Sequence, residues 1–338
     1  MKTLADVAQR LGVSQATVSR AANGKSGVSE STRRAVLDAM QDMGMLGKEA
    51  LRGMPQRVAL VTPDLTNPIF PAFVTSISTH LARRNILPEL CTYTVSGASE
   101  SAFVQMVLKS QVQGVIFLAG KYDTEHADLS DYALLREAGI PAVFLNAASP
   151  ELTGHCVMTD DAAGTRMAMR HLISQGHRRI GLLMGDPHHY PSLIKFRTAV
   201  EYATAHGVEV DADHAVWTTY GVESGRTGAA SLVEDGATAL LCASDQLALG
   251  AIKGVRMLGK SVPGDVSVVG FDDSPWLTST SPSLTTVRQP VAAMSGAIVK
   301  ALWVAMHDPS LLDQRQDLLF EPELVVREST AINRSLLG

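Results

Sequence analysis

Five polar side chains between residues 13 and 23 have the types and spacing to read a nucleic acid. On a helix that starts after Ser14, Val18 and Ala21 or Ala22 form the buried stripe. Gln15, Thr17, Ser19, Arg20 and Asn23 are left facing outward, short hydrogen-bonding groups and one long cation with no carboxylate among them. A guanidinium can bond both acceptors of a guanine edge, a Gln amide matches adenine, and hydroxyls or amides hold phosphate oxygens. An ordinary polar helix surface could carry the same residues, so the neighbouring elements decide. Leu4, Val7, Ala8 and Leu11 predict a preceding helix, Gly12 ends it, and Ser14 can cap the next. Ser29, followed by Val36, Leu37, Met40 and Met43 before Gly44, predicts a third helix. Residues 1–57 hold nine Lys/Arg against five Asp/Glu, net +4; the whole chain is −5, so the remainder is −9. The cationic surface therefore belongs to the small N-terminal unit.

A second set of candidate residues depends on the rhythm that begins at Arg57. Short β-rich apolar runs at 58–61, 90–95, 115–118 and 142–145 alternate with amphipathic stretches. A second series lies at 180–184, 215–219, 240–243 and 266–271, with helices near 161–175, 195–206, 222–235 and 245–259. Such alternation predicts βαβ units, parallel sheets and two doubly wound halves facing each other across a cleft. Asn146, Tyr220, Ser244, Asp272 and Gln289 fall at or just past strand carboxyl ends, where polar groups converge on small molecules. Asp186, His188 and His189 raise the question of zinc. Adjacent histidines rarely aim at one ion and no fourth ligand is evident, so neither metal nor cofactor is expected.

Length and composition narrow the classes. The 338 residues are 46% apolar and 19% charged, enough for a headpiece and a large core that splits in two. The first ten residues lack the apolar run of a signal peptide, and no window approaches a membrane span, so a cytoplasmic protein without membrane contact is expected. Cys91, Cys156 and Cys242 are odd in number and sit in apolar runs, as buried free thiols do. The first β-run leads into Val-Thr-Pro-Asp-Leu from Val61, without the glycines of a phosphate loop, and no nucleophile with its base stands out, so no enzyme is expected. A periplasmic solute-binding protein would share the two-lobed fold, but it would need an export signal and have no use for a basic headpiece.

Three stretches of the N-terminal unit resemble the lactose-repressor family of bacterial transcription regulators. They are Thr-Leu-Ala-Asp-Val-Ala from Thr3, Gly-Val-Ser-Gln-Ala-Thr-Val-Ser-Arg from Gly12 and Asn-Gly-Lys-Ser-Gly-Val-Ser-Glu-Ser-Thr-Arg-Arg from Asn23. The resemblance continues through Pro-Asp-Leu-Thr-Asn-Pro from Pro63, Gly-His-Arg-Arg-Ile-Gly from Gly176, Val-Val-Gly-Phe-Asp-Asp from Val268, Leu-Thr-Thr-Val-Arg-Gln-Pro from Leu284 and a closing strand at Arg-Glu-Ser-Thr from Arg327. It implies that Gln15, Ala16 and Arg20 face bases, Ala16 through apolar contact alone, while Thr3, Ser14, Thr17, Ser19, Asn23 and Ser29 face phosphates. The family's Tyr-x-Pro-Asn run and full hinge are missing. Ala-Leu-Arg-Gly from Ala50 still resembles the hinge end, making Leu51 the candidate minor-groove wedge.

The same resemblance implies an effector pocket at Asn146, Tyr220, Ser244, Asp272 and Gln289, with Phe70 beside them. Amide and carboxylate would bind hydroxyls, and the Tyr220 ring would stack on a sugar. The family's usual effector-binding arginine falls at Ser192 and its common asparagine at Ser244, which widens the pocket and leaves Lys195 or Arg197 to compensate.

The expected fold is an all-α three-helix DNA-binding headpiece (1–46), a shortened hinge (47–57) and an α/β two-lobed, doubly wound parallel-sheet core (58–338). Its N-terminal lobe is about 58–158 with a returning segment 288–318, and its C-terminal lobe about 159–287 with 319–330. The expected function is a transcription regulator, a repressor, that binds a near-palindromic double-stranded DNA operator and answers a small molecule, a sugar or glycoside. The alternatives are the same regulator answering a non-sugar metabolite, or a solute-binding protein. The tail after residue 330 is too short for a tetramerising coiled coil, so a homodimer is expected.

Overall fold

The computed structural model describes residues 3–23, 25–43, 56–63, 65–93, 99–146, 149, 151–208, 210, 215–312 and 314–333, without the side chains of 41 and 42. The chain divides into two compact units, Met1–Pro55 and Gln56–Gly338.

The first unit contains α1 (Leu4–Leu11), α2 (Gln15–Ala22) and α3 (Glu30–Asp42). Val7, Ala8, Val18, Ala21, Val36, Ala39 and Met40 form its small core. Each boundary has a local cause. Asp6 accepts from the Thr3 N–H at 2.6 Å and the Thr3 hydroxyl at 3.0 Å, Gly12 ends α1 at φ 64°, and the Ser14 and Ser29 hydroxyls each accept a first-turn N–H at 3.1 Å. Arg33 ties α3 to the preceding turn by donating to the carbonyls of Ala21 (2.9 Å) and Lys25 (2.6 Å).

The second unit holds two six-stranded sheets. Strands β1 (Gln56–Pro63), β2 (Ile86–Tyr93), β3 (Gly114–Phe117), β4 (Ala142–Leu145), β5 (His155–Thr159) and β11 (Gln316–Phe320) form one, all parallel, in the order β11-β5-β4-β3-β1-β2. Alternation along β1 sends Val58 and Leu60 to one apolar layer and Ala59 and Val61 to the other. Helices α4 (Ile69–Ala82) and α11 (Val291–His307) pack on the first face; α5 (Glu100–Lys109) and α6 (Ser130–Glu137) pack on the second.

The other sheet has the order β12-β10-β9-β8-β6-β7, from β6 (Ile180–Met184), β7 (Val216–Trp217), β8 (Ala239–Cys242), β9 (Ser267–Asp272), β10 (Thr285–Arg288) and the antiparallel β12 (Glu323–Val325). Helices α7 (Asp161–Ser174), α8 (Tyr190–Ala205), α9 (Val222–Glu234) and α10 (Asp245–Met257) cover it. The chain passes between the sheets after β5, after β10 and after β11, so three short segments join the lobes.

Several expected elements shift. Residues 90–93 of the expected run belong to a strand that spans Ile86–Tyr93; at the sheet edge it tolerates Pro88 and buries only Ile86 and Cys91, so its first half carries no apolar run. Helix α8 starts at Tyr190 rather than near 195, with Pro191 in its first turn where no N–H is needed. Residues 327–330 form no strand. They dock through the Ser329 hydroxyl, which donates to the Val268 carbonyl at 2.6 Å and accepts from the Thr285 N–H at 2.8 Å. Cys91, Cys156 and Cys242 are buried and free. Among the described residues no helix is long and apolar enough to cross a membrane.

Candidate functional site

The first site is the outer face of α2. Gln15, Ala16 and Arg20 are exposed, as are Thr3, Ser14, Asn23 and Ser29 around them, while Thr17 and Ser19 are half-buried. The helix is held by Val18 and Ala21 underneath. The Ser14 and Thr17 hydroxyls bond each other at 2.8 Å, and the Asn23 amide donates to the Ser19 carbonyl at 2.8 Å. Cap residues thus stand at the two ends of the helix, and between them the side chains of Gln15, Ala16 and Arg20 are exposed. No carboxylate stands on this helix to oppose a phosphate backbone.

The second site is a cavity of about 400 Å³ between the two lobes of the core, beyond the strand carboxyl ends. One polar chain links three residues of its wall through Thr159 behind them. The Asn146 amide oxygen accepts from the Thr159 N–H at 3.1 Å, the Thr159 hydroxyl donates to the Gln289 amide oxygen at 2.8 Å, and the Gln289 amide N–H donates to Asp272 at 2.7 Å. Asn146 (φ 57°), Asp272 (φ 119°) and Asp273 (φ 60°) all hold left-handed backbone, a cost of about 1–3 kcal/mol each that surrounding structure must offset. For Asp273 the offset is visible, since it takes Arg288 at 2.7 Å and Arg327 at 2.6 Å.

Burial, and then the charge of Asp245 behind it, push the Asp272 carboxyl well above the ordinary carboxylate range. Asp245 itself rises to about 6 through burial, held in place by Ser274 and Thr286. Lys195 is buried, which alone would lower its pKa, but Asp161 at 2.8 Å together with Tyr220 and Asp272 outweighs that and the net direction is up. Its ammonium also lies 4.0 Å from the centre of the Phe271 ring. Phe70, Phe73, Tyr93 and Tyr220 supply aromatic wall. Tyr220 is oriented by a 2.7 Å hydrogen bond with Ser192 and lies over Gly185, where a Cβ would come within 2.6 Å of its ring.

Residues 3–45 match the description "Bacterial regulatory proteins, lacI family", and residues 169–330 match a periplasmic binding protein-like domain. The HTH-type transcriptional regulator MalR of Streptomyces coelicolor is 40% identical over 333 residues, covering 97% of this chain and 96% of its own. The chain belongs to the lacI family. A further relative, the HTH-type transcriptional regulator DegA of Bacillus subtilis, is 32% identical over 337 residues, 97% of this chain and 98% of its own. Among solved structures, the regulator CelR in complex with cellobiose has a TM-score of 0.72 at 29% identity, covering 97% of this chain and all of its own. The lac repressor dimer bound to operator and the anti-inducer ONPF has a TM-score of 0.71 at 26% identity, covering 98% and 99%. This lacI-family chain is accordingly a helix-turn-helix, DNA-binding transcription regulator.

Within this family member, Phe70, Asn146, Tyr220, Ser244, Asp272 and Gln289 all line the one cavity. Ser244 does so while also capping α10, its hydroxyl accepting the Leu247 N–H at 3.3 Å. Ser192 is a correction. It is fully buried behind Tyr220 and does not line the cavity, because the earlier start of α8 turns it inward. Lys195, one turn on, is the α8 cation at the wall, whereas Arg197 is exposed away from it. Leu51 lies outside the described residues. Asp123, another residue of the cavity lining, was missed by sequence reasoning, and His189 was weighed only as a zinc ligand; the loops after β3 and β6 were visible, but nothing local signals that they meet.

Proposed function

We propose that this regulator is a cytoplasmic repressor that binds a near-palindromic double-stranded DNA operator as a homodimer, and that a neutral carbohydrate or glycoside between its lobes alters operator affinity. One observation carries the carbohydrate reading: the Asn146–Thr159–Gln289–Asp272 chain stands in the same cavity as the faces of Tyr220 and Phe70. Vicinal hydroxyls need paired donors and acceptors, and the C–H face of a pyranose needs an aromatic surface. The likeness to CelR with cellobiose supports the ligand class, and the likeness to the lac repressor dimer on operator supports the dimer.

Gln15, Ala16 and Arg20 read bases in this proposal, and Leu51 wedges into the minor groove. Effector binding shifts the protein between two lobe arrangements, and it changes operator affinity only to the extent that it binds one of them better. No catalytic role is assigned to any residue. A thermal-shift screen of saccharides, glycosides and nucleosides tests the ligand class. A saccharide at about a hundred times its Kd should add about 2.7 kcal/mol of stability. A response to a nucleoside with none to any saccharide overturns it.

A further inference from the structure

The headpiece holds a second arginine that the outer face of α2 does not include. Arg33, on α3, has a side chain only 20% exposed. Both terminal nitrogens of its guanidinium donate to backbone, one to the Ala21 carbonyl at 2.9 Å and the other to the Lys25 carbonyl at 2.6 Å. Glu30, one turn earlier on α3, lies 4.0 Å from its Nε but is largely exposed, so that pair contributes little.

The last carbonyls of a helix lack the N–H groups that a further turn would supply, and those of α2 are met one by one. The Ser19 carbonyl accepts from the Asn23 N–H at 3.1 Å and from the Asn23 side-chain amide at 2.8 Å. The Arg20 carbonyl accepts the Lys25 N–H at 3.0 Å, and the Ala21 carbonyl is met from another helix, by Arg33. The bonds close a circuit from Arg20 to Lys25, from Lys25 to Arg33 and from Arg33 to Ala21, which joins the end of α2, the turn after it and α3. A guanidinium at this end also complements the negative pole of the helix.

The packing beneath α2 is light enough for this circuit to decide its pose. The helix has eight residues, too few to be stable alone in water, and its fully buried residues are Val18 and Ala21. A valine and an alanine resist lifting of the helix but oppose its tilting or sliding only weakly. A bidentate contact to a base edge is directional, so a small tilt of the helix spoils both of its bonds. Arg20 directly precedes the Ala21 that Arg33 holds.

Resting on the reading of α2 as the base-reading helix, we infer that Arg33 is a positioning residue: it spends its guanidinium on the end of α2 rather than on DNA, and so sets the pose from which Gln15 and Arg20 meet the bases. Operator specificity then depends on a residue that contacts no base. A cation placed for phosphate behaves differently, since its loss weakens binding to every sequence alike and lowers the logarithmic salt slope by about one.

Fluorescence anisotropy on the full-length protein tests this, with an operator selected from random DNA by the wild type and a scrambled duplex, each at several salt concentrations. Arg33→Ala should lower the ratio of operator to scrambled affinity about tenfold, the scale of one lost bidentate base contact, and leave the salt slope on scrambled DNA unchanged. Arg33→Lys keeps the charge but presents one nitrogen where the fork presents two, so it should lose most of the same ratio. Partial unfolding of the headpiece would weaken both duplexes in proportion, so a fall in the ratio is not a loss of fold. The inference is overturned if Arg33→Ala keeps the wild-type ratio, if Arg33→Lys restores it, or if the salt slope falls by about one. Arg20→Ala, measured alongside, separates the two readings: a wild-type ratio in that variant counts against base reading by α2 itself, and this inference falls with it.

Discussion

The outer face of α2 and the inter-lobe cavity are the two candidate recognition sites, and they are built on opposite principles. On α2 the working side chains are exposed, close in sequence and held through the small core beneath them. In the cavity they are buried or half-buried, drawn from residues as far apart as 70 and 289, and several are hydrogen-bonded to one another before any ligand arrives. A surface that must meet a polyanion gains from exposed donors whose solvation is exchanged for phosphate and base contacts. A pocket that must tell one small molecule from another gains from desolvated, preorganised groups, at a cost in backbone strain and displaced pKa values. Altering the α2 face should therefore change what is bound and leave the fold alone, whereas altering the core should change the fold and the pocket together.

The largest expected effect lies under the pocket. Helices α9 and α10 cross at Gly225, Gly250 and Gly254, and a Cβ on Gly250 would overlap the Val222 carbonyl oxygen and lie 2.7 Å from the Arg226 nitrogen. Both obstacles are backbone and cannot swing aside. Gly250→Val should cost about 3 kcal/mol or more, seen in calorimetric melting as a lowered core transition together with loss of ligand response. An unchanged transition would mean the helices can separate cheaply and the core is less rigid than described.

Next in size is Arg20→Ala. It should remove about 1–3 kcal/mol of discrimination per half-site while the melting profile stays as in the wild type. The measurement is the ratio of affinities for an operator selected from random DNA and for a scrambled duplex. An unchanged ratio would place Arg20 among the phosphate contacts and weaken the contrast between the two regions.

The smallest effect concerns protonation in the pocket. The carboxyl of Asp123 is raised from 3.8 to about 6, chiefly by burial. A group raised on folding favours the folded state fully below its ordinary pKa, and that contribution is lost as pH climbs through the folded value. The stability difference between Asp123→Asn and wild type should accordingly move in favour of the variant by about 1 kcal/mol between pH 5 and pH 7.5. Paired urea titrations at the two pH values check it. A difference that moves the other way would mean that Asp123 is stabilised, not strained, by ionising.

The same contrast explains what the sequence disclosed. The α2 face was legible because cap, glycine turn and apolar stripe all lie within about one helix of each other, and the resemblance rests on contiguous residues. The central strands were legible because they are buried on both faces and read as unbroken apolar runs, as Val115–Phe117 and Leu240–Cys242 show within β3 and β8. The edge strands β2 and β11 keep much of their length exposed, and only the second half of β2 reads as an apolar run. Polar residues directly after strands could be named one by one. The link from Thr159 to Gln289 and the meeting of Asp123 with His189 could not, since both follow from strand order and lobe approach. Ser192 was misplaced by the start of a helix, which decides whether a residue points to the cavity or away from it.

The central claim is that a saccharide bound among Asp272, Asn146 and Gln289 governs affinity at the α2 face. Fluorescence anisotropy of the selected operator, titrated with full-length protein in the absence and presence of saturating saccharide, tests it most directly. Operator affinity should shift by about tenfold, a typical coupling between two sites. Asp272→Ala, weakening saccharide binding by about 1.5–3 kcal/mol, should abolish the shift at the same saccharide concentration while operator binding without saccharide persists. An operator affinity that saturating saccharide leaves unmoved in the wild type would contradict the account.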